Sequence, residues 1–170
     1  SSDLMNINEL MKSSFLLIFC IFLSRFIMPP SYTPIIAMAI FMPLMSQNKT
    51  LQLFLPVSIL LLSDLLLGFY GETMLFVYGS MILIGLLARK INDGSLGSLL
   101  KSSISSVILW HLIVNFGVYL NGLGTKTLAQ TYALAIPFDF RLLLSTLFFS
   151  LIFYTALKLS KRTYSLKISD

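Results

Sequence analysis

The chain has 170 residues, 56% of them hydrophobic and 11% charged, and a net charge of +5, with a mean hydropathy of +0.88. Soluble domains hold about 25% charged residues, so an ordinary water-soluble fold is excluded and an integral membrane protein remains. The basic residues are dispersed and sit mostly at the ends of apolar runs, which excludes a nucleic-acid surface and points to lipid headgroups and membrane topology.

The leading Ser-Ser-Asp lacks an initiator Met, so residues 1–4 read as an expression remnant, with Met5 or Met11 as the native start. The stretch MKSSFLLIFCIFLS has Lys12 ahead of an apolar core, as a signal peptide would, but no small-x-small cleavage site follows. Phe19 is too bulky for the position before an acylated cysteine, so the stretch reads as a first membrane span. Cys20 is the only cysteine, which excludes an internal disulfide and any multi-cysteine metal site.

Cutting the chain at charges, prolines and glycines gives six apolar segments, 12–28, 33–46, 51–68, 73–89, 101–120 and 140–158, within a single transmembrane domain covering residues 1–170. Only helices and closed barrels satisfy every backbone group in lipid. SILLLSDLLLGF does not alternate as a barrel strand must, so the expected architecture is an all-α bundle of six transmembrane helices. The second segment is short, about 14 residues against the usual ~20, and is bracketed by Pro34 and Pro43. It is either broken or buried within the bundle.

Six spans place both termini on one side. That side collects Lys12, Lys49, Arg89, Lys90, Lys101, Lys158, Lys161, Arg162 and Lys167; the other collects Arg25, Lys126 and Arg141. The positive-inside rule then makes both termini cytoplasmic, in a multi-pass protein expected in the bacterial cytoplasmic (inner) membrane. The connections near 29–33, 69–72 and 121–139 become external.

This orientation gathers the polar residues in the outer half. Asp64 lies about 6 Å inside the outer end of the third span, with Glu72 just beyond it. Arg25 is near the outer end of the first span, and Asp139 and Arg141 open the sixth. His111 and Asn115 are four apart and share a helical face. The other half has no comparable set. Tyr32, Phe69, Tyr70, Tyr78, Trp110, Tyr132 and Phe138 accompany them, and apolar walls with a few orienting polar groups are what a small-molecule pocket needs. The longest external connection, NGLGTKTLAQTYALAIPFD, carries an apolar patch expected to fold back as a lid. Each residue also has a plain structural role. Asp64 either contacts a ligand or ties helices together by pairing with Arg25 or Arg141. His111 either contacts a ligand or makes an interhelical hydrogen bond, and the aromatics also suit an interfacial belt.

Enzymatic chemistry has little to stand on. With one histidine and one cysteine there is no HExxH, no histidine cluster for zinc and no Walker loop. GSLGSLL reads as a turn, and Ser106 and His111 are one residue out of register for a shared face. No catalytic residue, metal or cofactor is expected. Two rivals to solute capture remain: a membrane enzyme using Asp64 and His111, and a structural or assembly subunit of a larger membrane complex.

The segments RFIMPPSYTPIIAMAIF, LLLSDLLLGFYGE, VYGS and WHLIVNFGVYLNGLGTKTLAQTYALAIPF resemble, in order and spacing, a family of small uncharacterised bacterial membrane proteins described as transport proteins. The likeness covers about residues 20–158. That family is in turn similar to the substrate-binding S-components of energy-coupling factor (ECF) vitamin transporters. The resemblance implies a bundle that binds a vitamin or similar micronutrient from outside. It also implies a coupling transmembrane protein driven by two cytoplasmic ATPases. One feature departs from it: S-components commonly dock through alanines spaced four apart on the first span, whereas here that span reads SSFLLIFCIFLSRF and the small pair Ala37 and Ala39 falls in the second.

Overall fold

The computed structural model describes the backbone of residue 15 and of residues 18–123 and 127–168, and side chains as far as residue 159 apart from that of Pro30. Lys12, Lys126 and the leading residues 1–4 lie outside the described residues. Six helices follow in order: α1 (Ile18–Ile27), α2 (Ile35–Met45), α3 (Lys49–Leu67), α4 (Thr73–Ile91), α5 (Leu96–Leu120) and α6 (Leu128–Ile168), with a short 3-10 turn, Pro30–Tyr32, between the first two. Among the described residues the fold is all-helical. Helices α3, α4, α5 and the Leu128–Leu159 part of α6 are each long and apolar enough to cross a membrane, whereas α1 and α2 are shorter.

Helix α2 answers the question its prolines raise. It is continuous through Pro43, and every residue from Ile35 to Met42 is buried. At 11 residues it is about 16 Å long, and it packs against α3, α4, α5 and α6. A helix apolar on all sides belongs inside a bundle, and this one is its core. Ile59, Leu60, Val77, Met81, Ile84, Leu99, Leu142 and Phe153 close around it, with the Phe41 and Phe153 rings meeting edge to face at 5.6 Å. The outward faces of α3, α5 and α6 expose Leu61, Leu65, Ile108, Leu112, Leu144 and Phe148, as lipid-facing surfaces do.

Short connectors make successive helices antiparallel, giving the bundle a Tyr70 end and an Asp93 end. At the Asp93 end Asn48 caps α3, its side chain accepting from the backbone N–H of Thr50 and Leu51. The Arg89 Nε donates to Gln52 Oε1 at 2.6 Å and its Nη2 donates to the Lys49 carbonyl. Ser95 caps α5 by accepting from the Ser98 N–H at 3.1 Å, which is why α5 starts at Leu96 rather than at Lys101 and why GSLGSLL is mostly helix. Hydrogen bonds from Ser98 and Ser95 lower the Asp93 carboxyl to about 2, so this turn keeps its stabilising contacts above the ordinary carboxylate range and loses them as pH falls through about 2.

The sixth helix departs most from expectation. Residues 128–139, expected to be a loop-like lid, are helical and continuous with the apolar segment that follows. Leu, Ala and Gln favour helix there, and Pro137 sits inside without ending it. The part from Leu128 to Leu159 would be about 48 Å long, more than the ~30 Å of bilayer hydrocarbon. The extension runs alongside the last turns of α5, where the Tyr132 hydroxyl donates to the Leu112 carbonyl.

Helices α4 and α5 meet at Gly117, where an added Cβ would overlap the Phe76 ring and come within 2.9 Å of Phe76 Cβ. Gly117→Ala is expected to destabilise the protein by about 1–3 kcal/mol, as overpacking does, in thermal unfolding in detergent. Gly79→Ala, where an added Cβ meets nothing within 4 Å, is expected to be neutral or to stabilise by roughly 0.5–1 kcal/mol. A loss at Gly79 equal to that at Gly117 would refute the packing account.

Candidate functional site

Two ion pairs are present among the described residues, Arg25–Asp64 and His111–Asp139, each at 2.6 Å. Both lie towards the Tyr70 end, each inside an otherwise apolar layer.

Asp64 is 1% exposed, and three elements supply its donors. Arg25, in the last turn of α1, donates from Nη2 to Asp64 Oδ1 and from Nε to Ser63 Oγ at 3.0 Å. The Ser63 hydroxyl in turn donates a hydrogen bond to the Leu60 carbonyl at 2.8 Å. The Tyr78 hydroxyl of α4 donates to Asp64 Oδ2 at 2.8 Å, and Tyr70 reaches the same oxygen at 3.3 Å. Tyr70 can do so because Gly68 and Gly71 hold φ of +101° and +80°, a left-handed backbone that folds the α3–α4 turn over the end of the bundle. Burial, and then the adjacent Asp64 carboxylate, raise the Tyr70 hydroxyl above its ordinary value, so Tyr70 remains a donor.

The second cluster joins α5 to α6. An ionised carboxylate only accepts, so His111 carries a proton on Nδ1 and donates it to Asp139 Oδ2. The Asn115 amide donates to the same oxygen at 2.9 Å and to the His111 carbonyl at 2.9 Å, confirming the shared face expected of residues four apart. The Tyr132 ring lies 5.2 Å from the imidazole, and its hydroxyl donates to the Leu112 carbonyl at 2.7 Å. His111 Nδ1 is thereby committed. Its Nε2 is the remaining polar position of a side chain 23% exposed.

The sequence-expected residues therefore divide. Arg25, Asp64, Tyr70 and Tyr78 form one cluster, and His111, Asn115, Asp139 and Tyr132 the other. Arg141 is not the partner of Asp64; its Nε donates to the Pro137 carbonyl at 3.3 Å and its guanidinium lies 5.7 Å from the Phe138 ring. Tyr32, Phe69, Phe138 and Glu72 are exposed, and Trp110 packs against the core. Two surface hollows, of about 430 and 360 Å³, lie at Tyr154–Leu159 of α6 and between Leu96–Leu100 and Leu147–Leu151, away from both clusters.

Several polar contacts have no counterpart in the sequence reading. Ser63 supports Arg25, Asn121 donates to Thr73 Oγ1 at 3.0 Å, Asn92 donates to the buried Ile40 carbonyl at 3.0 Å, and Ser103 meets Ser150 at 3.3 Å. The available signal was the run SSISS at 102–106 and the spacing of Ser98, Ser102 and Ser106.

Among the described residues, an all-helical fold with four helices long and apolar enough to cross a membrane defines the class, a helical membrane protein. More particularly, the chain belongs to a family of unknown function, DUF6580, whose model matches residues 5–167. No curated protein and no solved structure matches it.

Removing the Asp64 charge strands the Arg25 guanidinium, whose side chain is 14% exposed. Asp64→Asn is expected to cost about 3 kcal/mol in detergent, the lower end of the range for breaking a buried pair. Adding Arg25→Gln should cost little more, because the sites are coupled. Full additivity in this double-mutant cycle would show that the pair is not an energetic unit.

Proposed function

We propose that this protein is the membrane-embedded solute-binding subunit of an uptake transporter in the bacterial cytoplasmic membrane. In this reading all six helices lie within the bilayer, the short α1 and α2 included. Both termini and the Asp93 end are cytoplasmic, and a small solute is captured at the Tyr70 end. The observation that carries it is the segregation of charge. The buried ion pairs, with Tyr70, Tyr78 and Tyr132, gather at the Tyr70 end, while Lys49, Arg89, Lys90 and Lys101 gather towards the other. Ionisable groups inside apolar helices mark solute or ion pathways by default. The resemblance to S-components extends the proposal to a vitamin-like micronutrient and to a coupling membrane protein with two cytoplasmic ATPases.

The geometry assigns different weights to the two clusters. Asp64 already accepts from Arg25, Tyr70 and Tyr78, which favours a helix tie. The His111 cluster retains Nε2 beside the Tyr132 ring, so His111 is the side chain proposed to meet the solute. A second reading, a structural subunit of a larger membrane complex, draws on the same saturation of Asp64, since interhelical ties are all such a subunit requires.

Native mass spectrometry of the purified protein is expected to find a retained small molecule, lost in His111→Ala and kept in Tyr32→Phe. A stable partner protein with no small molecule would favour the assembly reading. Topology is tested separately: in a Cys20→Ser background, Leu123→Cys and Asp93→Cys are expected to label from opposite faces of the membrane, and labelling from the same face would remove the orientation.

A further inference from the structure

The half of the bundle nearer Asp93 holds polar groups that neither cluster uses. The hydroxyls of Ser102 and Ser106 in α5, and of Ser145 and Thr146 in α6, are buried and have no hydrogen-bond partner. The most exposed of these residues, Ser145, is 6% exposed and the other three are 0%. An unsatisfied buried hydroxyl costs roughly 1–3 kcal/mol, and native structures leave few. Four within one stretch of two packed helices call for one common cause.

Their depth follows from the helix register. Helices α5 and α6 are pinned antiparallel by His111–Asp139 and by Ser103–Ser150. Ser106 is three residues beyond Ser103, and Thr146 is four before Ser150. Both therefore lie about 5–6 Å further from the Asp93 end than that hydroxyl pair. Ser98, Ser102 and Ser106 recur every four residues on one face of α5, and that face starts at the Asp93 connector. There the Ser98 hydroxyl lies 3.3 Å from Asn92 Oδ1 and accepts from the Asp93 N–H at 3.2 Å. The result is a polar ladder, Asn92, Ser98, Ser102, Ser106, climbing from the end of the bundle to its middle.

The ladder is bounded elsewhere by hydrocarbon. Val107 and Leu142, both buried, stand along their helices between it and the His111–Asp139 pair. Leu96, Leu99, Leu147 and Leu151, with Ser150 among them, line the surface hollow between α5 and α6. None of the buried residues of α5 is ionisable, so what the ladder offers is hydroxyl and amide. Such a surface suits water and small uncharged polar molecules rather than a bare ion, whose desolvation it would not offset.

We propose that this ladder is one wall of a hydrated cleft that enters the bundle from the Asp93 end and stops beneath His111–Asp139. Water is its ligand and supplies the missing hydrogen bonds, as buried waters do for polar groups that lack protein partners. That the same cleft is the exit for an uncharged polar solute rests on the function proposed above; the hydration itself does not.

Thiol accessibility tests it. Ser102→Cys, Ser106→Cys and Thr146→Cys, each close in size to the native residue, are placed singly in the Cys20→Ser protein reconstituted in liposomes. A membrane-impermeant methanethiosulfonate reagent is then applied from either side. Only the thiolate reacts, so reactivity reports water at the side chain. Ile104→Cys and Leu144→Cys, on exposed outward faces, are the lipid-side controls, and Asp93→Cys marks the side. All three cleft positions are expected to react about 10-fold or more faster than the controls, and only from the side that labels Asp93→Cys. Rates equal to the controls at all three would overturn the cleft and leave the hydroxyls dry packing residues. Equal reaction from the opposite side would overturn its closed upper end. The three positions are read independently, so one misfolded variant leaves the test intact. Labelling without a retained solute would leave the cleft standing and remove the solute reading, and a retained solute without labelling would do the reverse.

Discussion

A carboxylate at the edge of a hydrocarbon layer has to find its donors inside the protein, and the arrangement of α1, α3 and α4 follows from how Asp64 does so. Arg25 comes from the last turn of α1, Tyr78 from the second turn of α4, and Tyr70 from the turn between α3 and α4. Each donor can reach Asp64 only if its element is correctly placed in height and rotation. Burying such a pair is poor value as a source of stability, because desolvation offsets much of the attraction. Its effect is specificity: any slip of α1 or α4 along α3 leaves a charge uncompensated.

The same logic operates once more between α5 and α6, where Asp139 accepts from His111 and Asn115. Around these two ties the core helix α2 needs no polar contact of its own beyond the Ile40 carbonyl held by Asn92. The Tyr70 end is thus fastened by charge-assisted bonds, while the interior towards Asp93 retains the unpaired hydroxyls. The Asp93 end is held instead by the Arg89 bonds to Gln52 and to the Lys49 carbonyl and by Asn92 on the Ile40 carbonyl, none of them a pairing of opposite charges.

How much of this the sequence discloses depends on the kind of residue. The ionisable residues were legible: a charge in an apolar run stands out, Asp64 pairs with one of the two arginines expected, and His111 and Asn115 share the face their spacing puts them on. Helical character was legible for the same reason, since lipid permits little else. Three features were not. The extension of α6 through Leu128 was hidden because Pro137 and the flanking polar residues look like a loop, although the intervening residues are good helix formers. The partner of Asp64 was ambiguous between Arg25 and Arg141, because choosing needs the rotation of α6, which no single-chain periodicity gives. The serine ladder was overlooked because hydroxyls scarcely alter hydropathy, and serines in apolar helices usually bond to their own backbone.

These differences bear on where function resides. An ionised carboxylate has about four acceptor sites, and Asp64 uses three of them on protein donors while almost fully buried. A solute would have to displace Tyr70, the most weakly held donor at 3.3 Å, to gain more than the last site. His111 needs no such exchange. Its Nδ1 is held by Asp139, which orients the ring and leaves Nε2 as the remaining polar position on a partly exposed side chain. A ring oriented by a carboxylate is suited to exchange a hydrogen bond with an uncharged hydroxyl or amide, and it would do so above the hydroxyls that continue towards Asp93. The residue that first draws the eye, Asp64, is thereby the one that builds the frame, and the quieter histidine is the one proposed to meet a solute.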